Sequence, residues 1–274
     1  MPYGSRAMVN FRSSLVKSRG LRNRIESVEQ SILRLQGAPS ESEERFQVPD
    51  NHWDEYFARA TVGRSWLRNV SQEWYHLQPI FDVVENTVPT GSRIVEVGSG
   101  LGLTALYFAS AGFDVTGIDI NPQAVAFAQE SIQPLFPSTL RFEPGDAFKL
   151  EAPEKPYDLA YSLGVVEHFE RNQTVELLHL QGTIARFVLA VIPTPFTRYA
   201  GGIHDERFYG RFGLRSIAED AGLKVHKLFG YGDIPSPIHQ TIRRWAPPAL
   251  ISWLRNYVSY GMGVGVLAES AAET

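Results

Sequence analysis

The sequence predicts an α/β protein whose largely parallel sheet carries helices on both faces, and three observations predict it. From Ile94 onward, apolar β-branched segments alternate with segments of helical spacing, the pattern of a parallel sheet with crossover helices. The first of these strands, Ile94-Val95-Glu96-Val97, breaks into Gly98-Ser99-Gly100-Leu101-Gly102, as a buried strand does when it feeds a tight turn and a helix. The next one, Phe113-Asp114-Val115-Thr116-Gly117-Ile118-Asp119, ends on a carboxylate.

The elements follow in chain order. Residues 1–36 carry Arg6, Arg12, Lys17, Arg19, Arg22, Arg24 and Arg34 against Glu26 and Glu29, a basic arm on a chain whose net charge is −4. Leu21, Ile25, Val28, Ile32 and Leu35 are spaced 4, 3, 4 and 3, a short stripe on a helix that Gly37 and Pro39 stop. Two heptads are too few for a lone coiled coil, so the stripe packs either on a partner subunit, giving a homodimer, or on the body of the chain. Residues 1–50 are read as this arm and a charged linker, and residues 51–274 as the main domain. An aromatic helical segment at 51–88, with Trp53, Tyr56, Phe57, Trp66, Trp74 and Tyr75, precedes the sheet; Trp74 and Tyr75 are expected to brace it.

Leu103 to Ala111 reads as a helix closed by Gly112. Asn121 caps the next helix and Pro122 presets its first turn. Leu140 to Glu143 and Tyr157 to Leu163 are strands three and four, and Ala185 to Ile192 is a fifth, bounded by Pro193 and Pro195. Phe212 to Ala221 has helical spacing and ends at Gly222. Leu223 to Phe229 and Tyr257 to Leu267 complete seven strands.

Glycines at 98, 100 and 102 let backbone approach a ligand closely. Leu103 stands where a dinucleotide fingerprint wants a small residue, which favours a ligand without pyrophosphate. Asp119 lies where a ribose would lie, and one carboxylate can accept from two vicinal hydroxyls. An acid at this distance suits a nicotinamide nucleotide equally well. Glu96 with the glycine turn resembles motif I of the class I S-adenosylmethionine (SAM) dependent methyltransferases. Gly145-Asp146-Ala147 resembles the turn that these proteins use around adenine, and Tyr157 to Phe169 resembles their fourth-strand segment. The resemblance covers roughly residues 75 to 268 and is nearest to small-molecule methyltransferases.

That resemblance implies a Rossmann-like, seven-stranded sheet with the seventh strand inserted antiparallel. It implies SAM as methyl donor, leaving as S-adenosylhomocysteine, and transfer to an O or N atom of a small-molecule acceptor. Glu96, Gly98, Ser99, Gly100 and Gly102 would then seat the methionine part, with Glu96 holding the loop or the amino group. Asp119 and Ile120 would hold the nucleoside, Asp146 and Ala147, with Phe148, the adenine, and Ser162 and Leu163 the reacting end. A segment N-terminal to the sheet would form a lid at 51–88, bringing Trp53, Tyr56 or Phe57 to the substrate.

In-line methyl transfer needs an aligned acceptor, and an acidic acceptor proton needs a base. His168, just after strand four, is the leading candidate base. His204, beside Asp205 in the loop after strand five, is the second, and Asp205 is a substrate candidate. His204, Asp205 and Glu206 are adjacent, so their side chains diverge rather than converge on a metal.

Absences narrow the class. The chain has no cysteine, which excludes structural disulfides, thiolate metal sites and the cysteine nucleophile of carbon-5 pyrimidine methylation. Ser162-Leu163-Gly164-Val165 lacks the prolyl turn of amino-methylating enzymes acting on DNA adenine or glutamine. No nucleic-acid partner is expected, because the basic arm reads as a solvated helix face or as the complement of an acidic body. The longest apolar tract, residues 257–268, is too short to cross a bilayer, and Met1 to Gly20 lacks the apolar run of a signal peptide, so a cytoplasmic protein is expected. Two rival readings remain: an NAD(P)-dependent oxidoreductase on the same sheet, without its usual Tyr-x-x-x-Lys pair, and a non-catalytic SAM-binding subunit of another chain.

Overall fold

The computed structural model describes residues 20–28, 30–31, 64–196, 207–234 and 236–271. Residues 20–28 form the first helix, α1. In chain order there follow α2 (Arg64–Glu85), β1 (Arg93–Val97), α3 (Leu103–Ser110), β2 (Asp114–Asp119), α4 (Pro122–Phe127), β3 (Leu140–Pro144) and β4 (Tyr157–Leu163). The second half adds α5 (Arg171–Ile184), β5 (Ala185–Pro193), α6 (Arg211–Asp220), β6 (Leu223–Tyr231), α7 (Pro237–Trp245), α8 (Pro248–Val258) and β7 (Gly263–Ser270).

The strands form one sheet in the order β3-β2-β1-β4-β5-β7-β6. β1 to β5 run parallel to one another, and β7 is antiparallel to both β5 and β6. This is the seven-stranded mixed sheet with an inserted antiparallel seventh strand that the resemblance implied. The strand order reverses between β1 and β4, so their carboxyl ends open the crevice where doubly wound folds bind ligands.

Alternation sorts the side chains into two layers. Val188, Ala190 and Ile192 of β5 join Leu177, Leu214 and Ile217 on the face covered by α5 and α6. Leu189 and Val191 point the other way, into the core under α2 and α3. That second layer also takes Leu21 and Val28 of α1, both buried, with Ile25 packed against them. Part of the N-terminal stripe is thus spent on the chain's own core, and Ile32 and Leu35 lie outside the described residues. Arg24 fastens the helix by an ion pair to Glu85 at 2.7 Å and by stacking over Tyr107, 4.9 Å from its centroid.

Trp74 is fully buried and donates from Nε1 to the Leu103 carbonyl at 2.9 Å. Tyr75, expected to brace the sheet beside it, is instead exposed, because one residue along a helix turns the side chain through about 100°. The last strand begins at Gly263, not at Tyr257. Tyr257 and Val258 end α8, and Ser259 closes that helix in the left-handed region at φ 57°. The short apolar run alone did not separate helix end from strand start.

Candidate active site

Val97 ends β1, and the chain then turns on Gly98, Gly100 and Gly102 at φ 77°, 49° and 75°. The left-handed region costs an L residue about 1–2 kcal/mol, which glycine avoids. Two of the three are also crowded. A Cβ on Gly98 would stand 2.4 Å from Val165 Cγ2, and one on Gly102 would stand 2.4 Å from Phe142 Cζ. Val165 belongs to the loop after β4, next to β1, and Phe142 to β3, two strands away on the other side, so the turn is pressed from both sides. Its amides are used within the protein: Gly98 and Ser99 donate to the Ile118 carbonyl at 2.8 and 3.0 Å, and Gly102 donates to the Ser99 carbonyl at 2.8 Å. Ser99 itself is buried.

Asp119 is the junction of three loops. Its Oδ2 accepts from the Gly100 amide at 2.7 Å, and its Oδ1 accepts from the Asn121 amide at 2.8 Å. Its backbone carbonyl accepts from Gly145 at 3.0 Å, tying in the turn after β3. Each carboxylate oxygen offers about two acceptor positions, so one on each remains for a vicinal diol. Next to it, Ile120 is 72 % exposed, an apolar plate beside the carboxylate at the carboxyl edge of the sheet. Asn121 caps α4 by accepting from Gln123 and Ala124 at 2.9 and 3.1 Å, as the sequence predicts.

Glu96 lies beneath the turn. It is buried, accepts from the Thr104 hydroxyl and the Ala105 amide in the first turn of α3, and receives the Tyr161 hydroxyl at 3.2 Å. Burial raises its pKa from 4.5 to about 8, against the lowering effect of these bonds and with a smaller raising contribution from the Asp119 charge. Of the two roles expected for Glu96, this geometry serves the first, holding the loop to its helix.

In the turn after β3, Asp146 accepts from the Phe148 amide at 3.0 Å and pairs with Lys149 at 3.1 Å, and those contacts hold its carboxyl below the usual range. Ala147 begins the short helical turn that follows and is half-buried. At the end of β4, Leu163 packs against the core on the α3 side. Ser162, expected at the cofactor, is buried, and its hydroxyl accepts from Gln181 Nε2 of α5 at 3.3 Å. Strand alternation turns that side chain into the helix layer, leaving only its backbone on the crevice side.

His168 is half-buried in the helical turn Val166–His168, three residues beyond the valine that abuts Gly98. The turn is gripped from the returning chain after β5: the Arg207 amide donates to the Glu167 carbonyl at 2.9 Å, and its guanidinium donates to the His168 carbonyl at 3.1 Å. His204, Asp205, Trp53, Tyr56 and Phe57 lie outside the described residues. Among the described residues no three His, Asp or Glu side chains gather to hold a metal ion, and no helix is long and apolar enough to cross a membrane.

The residues present fit a nucleoside-bearing ligand: a diol acceptor at Asp119, an exposed apolar plate at Ile120, and close-approach backbone at Gly98 and Gly100. Residues 94–181 match the family model of a methyltransferase domain. Residues 94–181 thus carry a SAM-dependent methyltransferase domain. This methyltransferase domain is 36 % identical over 84 residues to 2-methyl-6-phytyl-1,4-hydroquinone methyltransferase from Synechocystis, covering 30 % of this chain and 26 % of that one. It is 39 % identical over 84 residues to the S-adenosyl-L-methionine-dependent Diels-Alderase iccD of Talaromyces variabilis, covering 30 % and 29 %. The match thus spans little more than a quarter of these relatives' length. Its fold resembles that of magnesium protoporphyrin IX methyltransferase from Synechocystis PCC 6803 with SAH bound, at TM-score 0.54 and 15 % identity over 81 % of this chain and 94 % of that one.

Sequence reasoning did not find the partners of Glu96 or the grip of Arg207. Thr104 and Tyr161 lie 8 and 65 residues from Glu96, and nothing local marks such pairs. It also passed over α7 and α8, although Ser236 before Pro237 and Pro247 before Pro248 were start signals in plain view.

Proposed function

We propose that the protein transfers a methyl group from SAM to an O or N atom of a small-molecule acceptor. The observation that carries this reading is the Asp119 junction, where one carboxylate fixes the glycine turn and the α4 cap and keeps acceptor capacity for a ribose. SAM, when bound, supplies an electrophilic methyl group on sulfur. In this reading Gly98, Gly100 and Gly102 shape the turn that seats its methionine part, Asp119 accepts from the ribose hydroxyls, and Ile120, Asp146 and Ala147 border the adenine. Leu163 and the Ser162 backbone face the reacting end, and His168 stands next to it as the base that takes the acceptor's proton. His204 and Asp205 are the second candidates for that work; of the segment 51–88 expected to form a lid, α2 is packed into the core, which leaves a lid role to residues 51–63 with Trp53, Tyr56 and Phe57. The burial of Leu21 and Val28 in the chain's own core weighs against a homodimer through the N-terminal helix.

The test is titration calorimetry with S-adenosylhomocysteine and with NADH. Binding of the first alone supports the reading, and binding of NADH alone returns the chain to the oxidoreductases. A second reading is favoured by the Diels-Alderase relative: the same cofactor site serving a reaction that leaves the methyl group in place. Tracing labelled methyl from SAM into product during turnover separates the two. Methyl transfer by the purified single chain also removes the reading of a non-catalytic subunit.

A further inference from the structure

Between β6 and β7 the chain inserts the helical hairpin α7–α8, and its outward face is the reverse of an ordinary surface helix. Ile238, Ile242 and Trp245 follow at i, i+4 and i+7, a single stripe of α7, yet they point to solvent, with Ile238 and Trp245 73 % and 80 % exposed. Leu250, Trp253 and Tyr257 follow at i, i+3 and i+7 on α8 and are exposed too, Trp253 lying against Tyr257 with ring centroids 6.1 Å apart. Phe212 of α6, 77 % exposed, extends the patch: Arg211 next to it stacks over Tyr257 at 5.1 Å and donates to the Asn256 carbonyl at 2.8 Å.

The hairpin is held firmly from its inner side. Ile251 and His239 are buried, Arg255 pairs with Asp233 at 2.5 Å, and Gly230 donates to Asn256 Oδ1 at 3.1 Å. A Cβ on Gly230 would stand 2.2 Å from the Arg255 carbonyl oxygen, so helix and strand backbone are in direct contact. The apolar face of α8 is therefore presented on a fixed support, with α7 anchored beside it through the buried His239.

Charge favours an anionic cover. Residues 236–258 contain Arg243, Arg244 and Arg255 and no Asp or Glu, in a chain of net charge −4. A second copy joined by a two-fold axis would set this basic hairpin against itself. The chain's own residues 1–36 are basic as well. Arginine beside tryptophan and aliphatic side chains on a short amphipathic helix is the composition of elements that lie in a bilayer interface. We propose that the α7–α8 hairpin docks on an anionic lipid bilayer, its tryptophans and aliphatic side chains entering the headgroup region and the exposed Arg244 meeting lipid phosphate.

The hairpin springs from the edge of the sheet that also bears the glycine turn, since Gly263 at the start of β7 pairs with Pro193 and Tyr231 at the ends of β5 and β6. Docking would bring the candidate active site to the bilayer surface, where an amphiphilic acceptor is found. That consequence rests on the methyl-transfer reading; docking itself does not.

The experiment is co-sedimentation of the full chain with vesicles of phosphatidylcholine, alone or mixed with phosphatidylglycerol. The expected result is retention on the mixed vesicles, release by added salt, and a loss of about tenfold or more in the double variant Trp245→Ser/Trp253→Ser and in Arg244→Glu. Unchanged melting of the variants and unchanged affinity for S-adenosylhomocysteine show that fold and cofactor site survive, so failure of the methyl-transfer reading would register in the ligand titration and not in the sedimentation. No retention on mixed vesicles, equal retention on vesicles without phosphatidylglycerol, or undiminished retention of the variants would overturn the proposal. So would a dimer in light scattering that the double variant reduces to a monomer.

Discussion

The two halves of the sheet's carboxyl edge are built on opposite plans. On the β3-β2-β1 side, backbone is bound to backbone: Asp119 alone joins the glycine turn, the α4 cap and the turn after β3, and the glycines there are hemmed in by Phe142 and Val165. On the β5-β7-β6 side, the connections are inserted helices with large side chains facing outward. The first half is close to immutable for a single ligand shape, whereas the second is a platform whose outer surface can change without disturbing the sheet. A shared cofactor with variable acceptors calls for that division, and substitutions on each side test it.

The largest expected effect is at the junction. Asp119→Ala removes a charged acceptor of two protein amides and, in the proposed reading, of the ribose, and affinity for S-adenosylhomocysteine should fall by ~10²–10³-fold in titration calorimetry. A variant that binds normally would separate the junction from the ligand. Gly102→Ala combines left-handed backbone with a Cβ pressed into Phe142, and urea unfolding should show a loss of about 2–4 kcal/mol. His168→Ala is expected to lower turnover by ~10²-fold while leaving S-adenosylhomocysteine affinity in place; full activity across the pH range would demote the residue to packing.

A smaller effect distinguishes Glu96. Its folded pKa of about 8 lies above the ordinary 4.5, so the folded chain holds this proton more tightly than the unfolded chain. Its contribution to stability is complete below about pH 4.5 and is lost as pH rises through about 8. Between pH 5 and pH 9 the difference in melting temperature between wild type and Glu96→Gln should shift in favour of the variant, by on the order of 5 °C. A constant difference would mean that Glu96 is already ionised at pH 5. Smallest of all, Trp253→Ser on the outer face of α8 should change stability by about 0.5 kcal/mol or less. A loss several times larger would erase the contrast between the two halves.

The same contrast explains what could be read from the sequence. The β1 turn, Asp119, the Asn121-Pro122 cap and the five parallel strands are local patterns of β-branched runs and turn residues, and each stands within a residue or two of its expected place. The roles of Glu96 and Ser162 depend on partners far away in the chain, Tyr161 and Gln181, and on strand alternation, which no motif displays. Tyr75 was misjudged because adjacency in sequence hides a large rotation about a helix axis. The start of β7 was misplaced because Tyr257 and Val258 are apolar in a helix whose outer face is itself apolar. Where the surface departs from the rule that outward means polar, hydropathy loses its power to mark boundaries.

The ring of Phe142 fills the space beside both Gly102 and Gly117, whose hypothetical Cβ atoms would stand 2.4 and 2.5 Å from it. The consequence concerns how such a sequence drifts. Neither glycine can gain a side chain while the ring is present, and the ring cannot shrink without opening a void under the cofactor turn. Viable change at these three positions must therefore be concerted, so in descendants of this chain they should be inherited as a single character, even though 40 residues separate the first from the last.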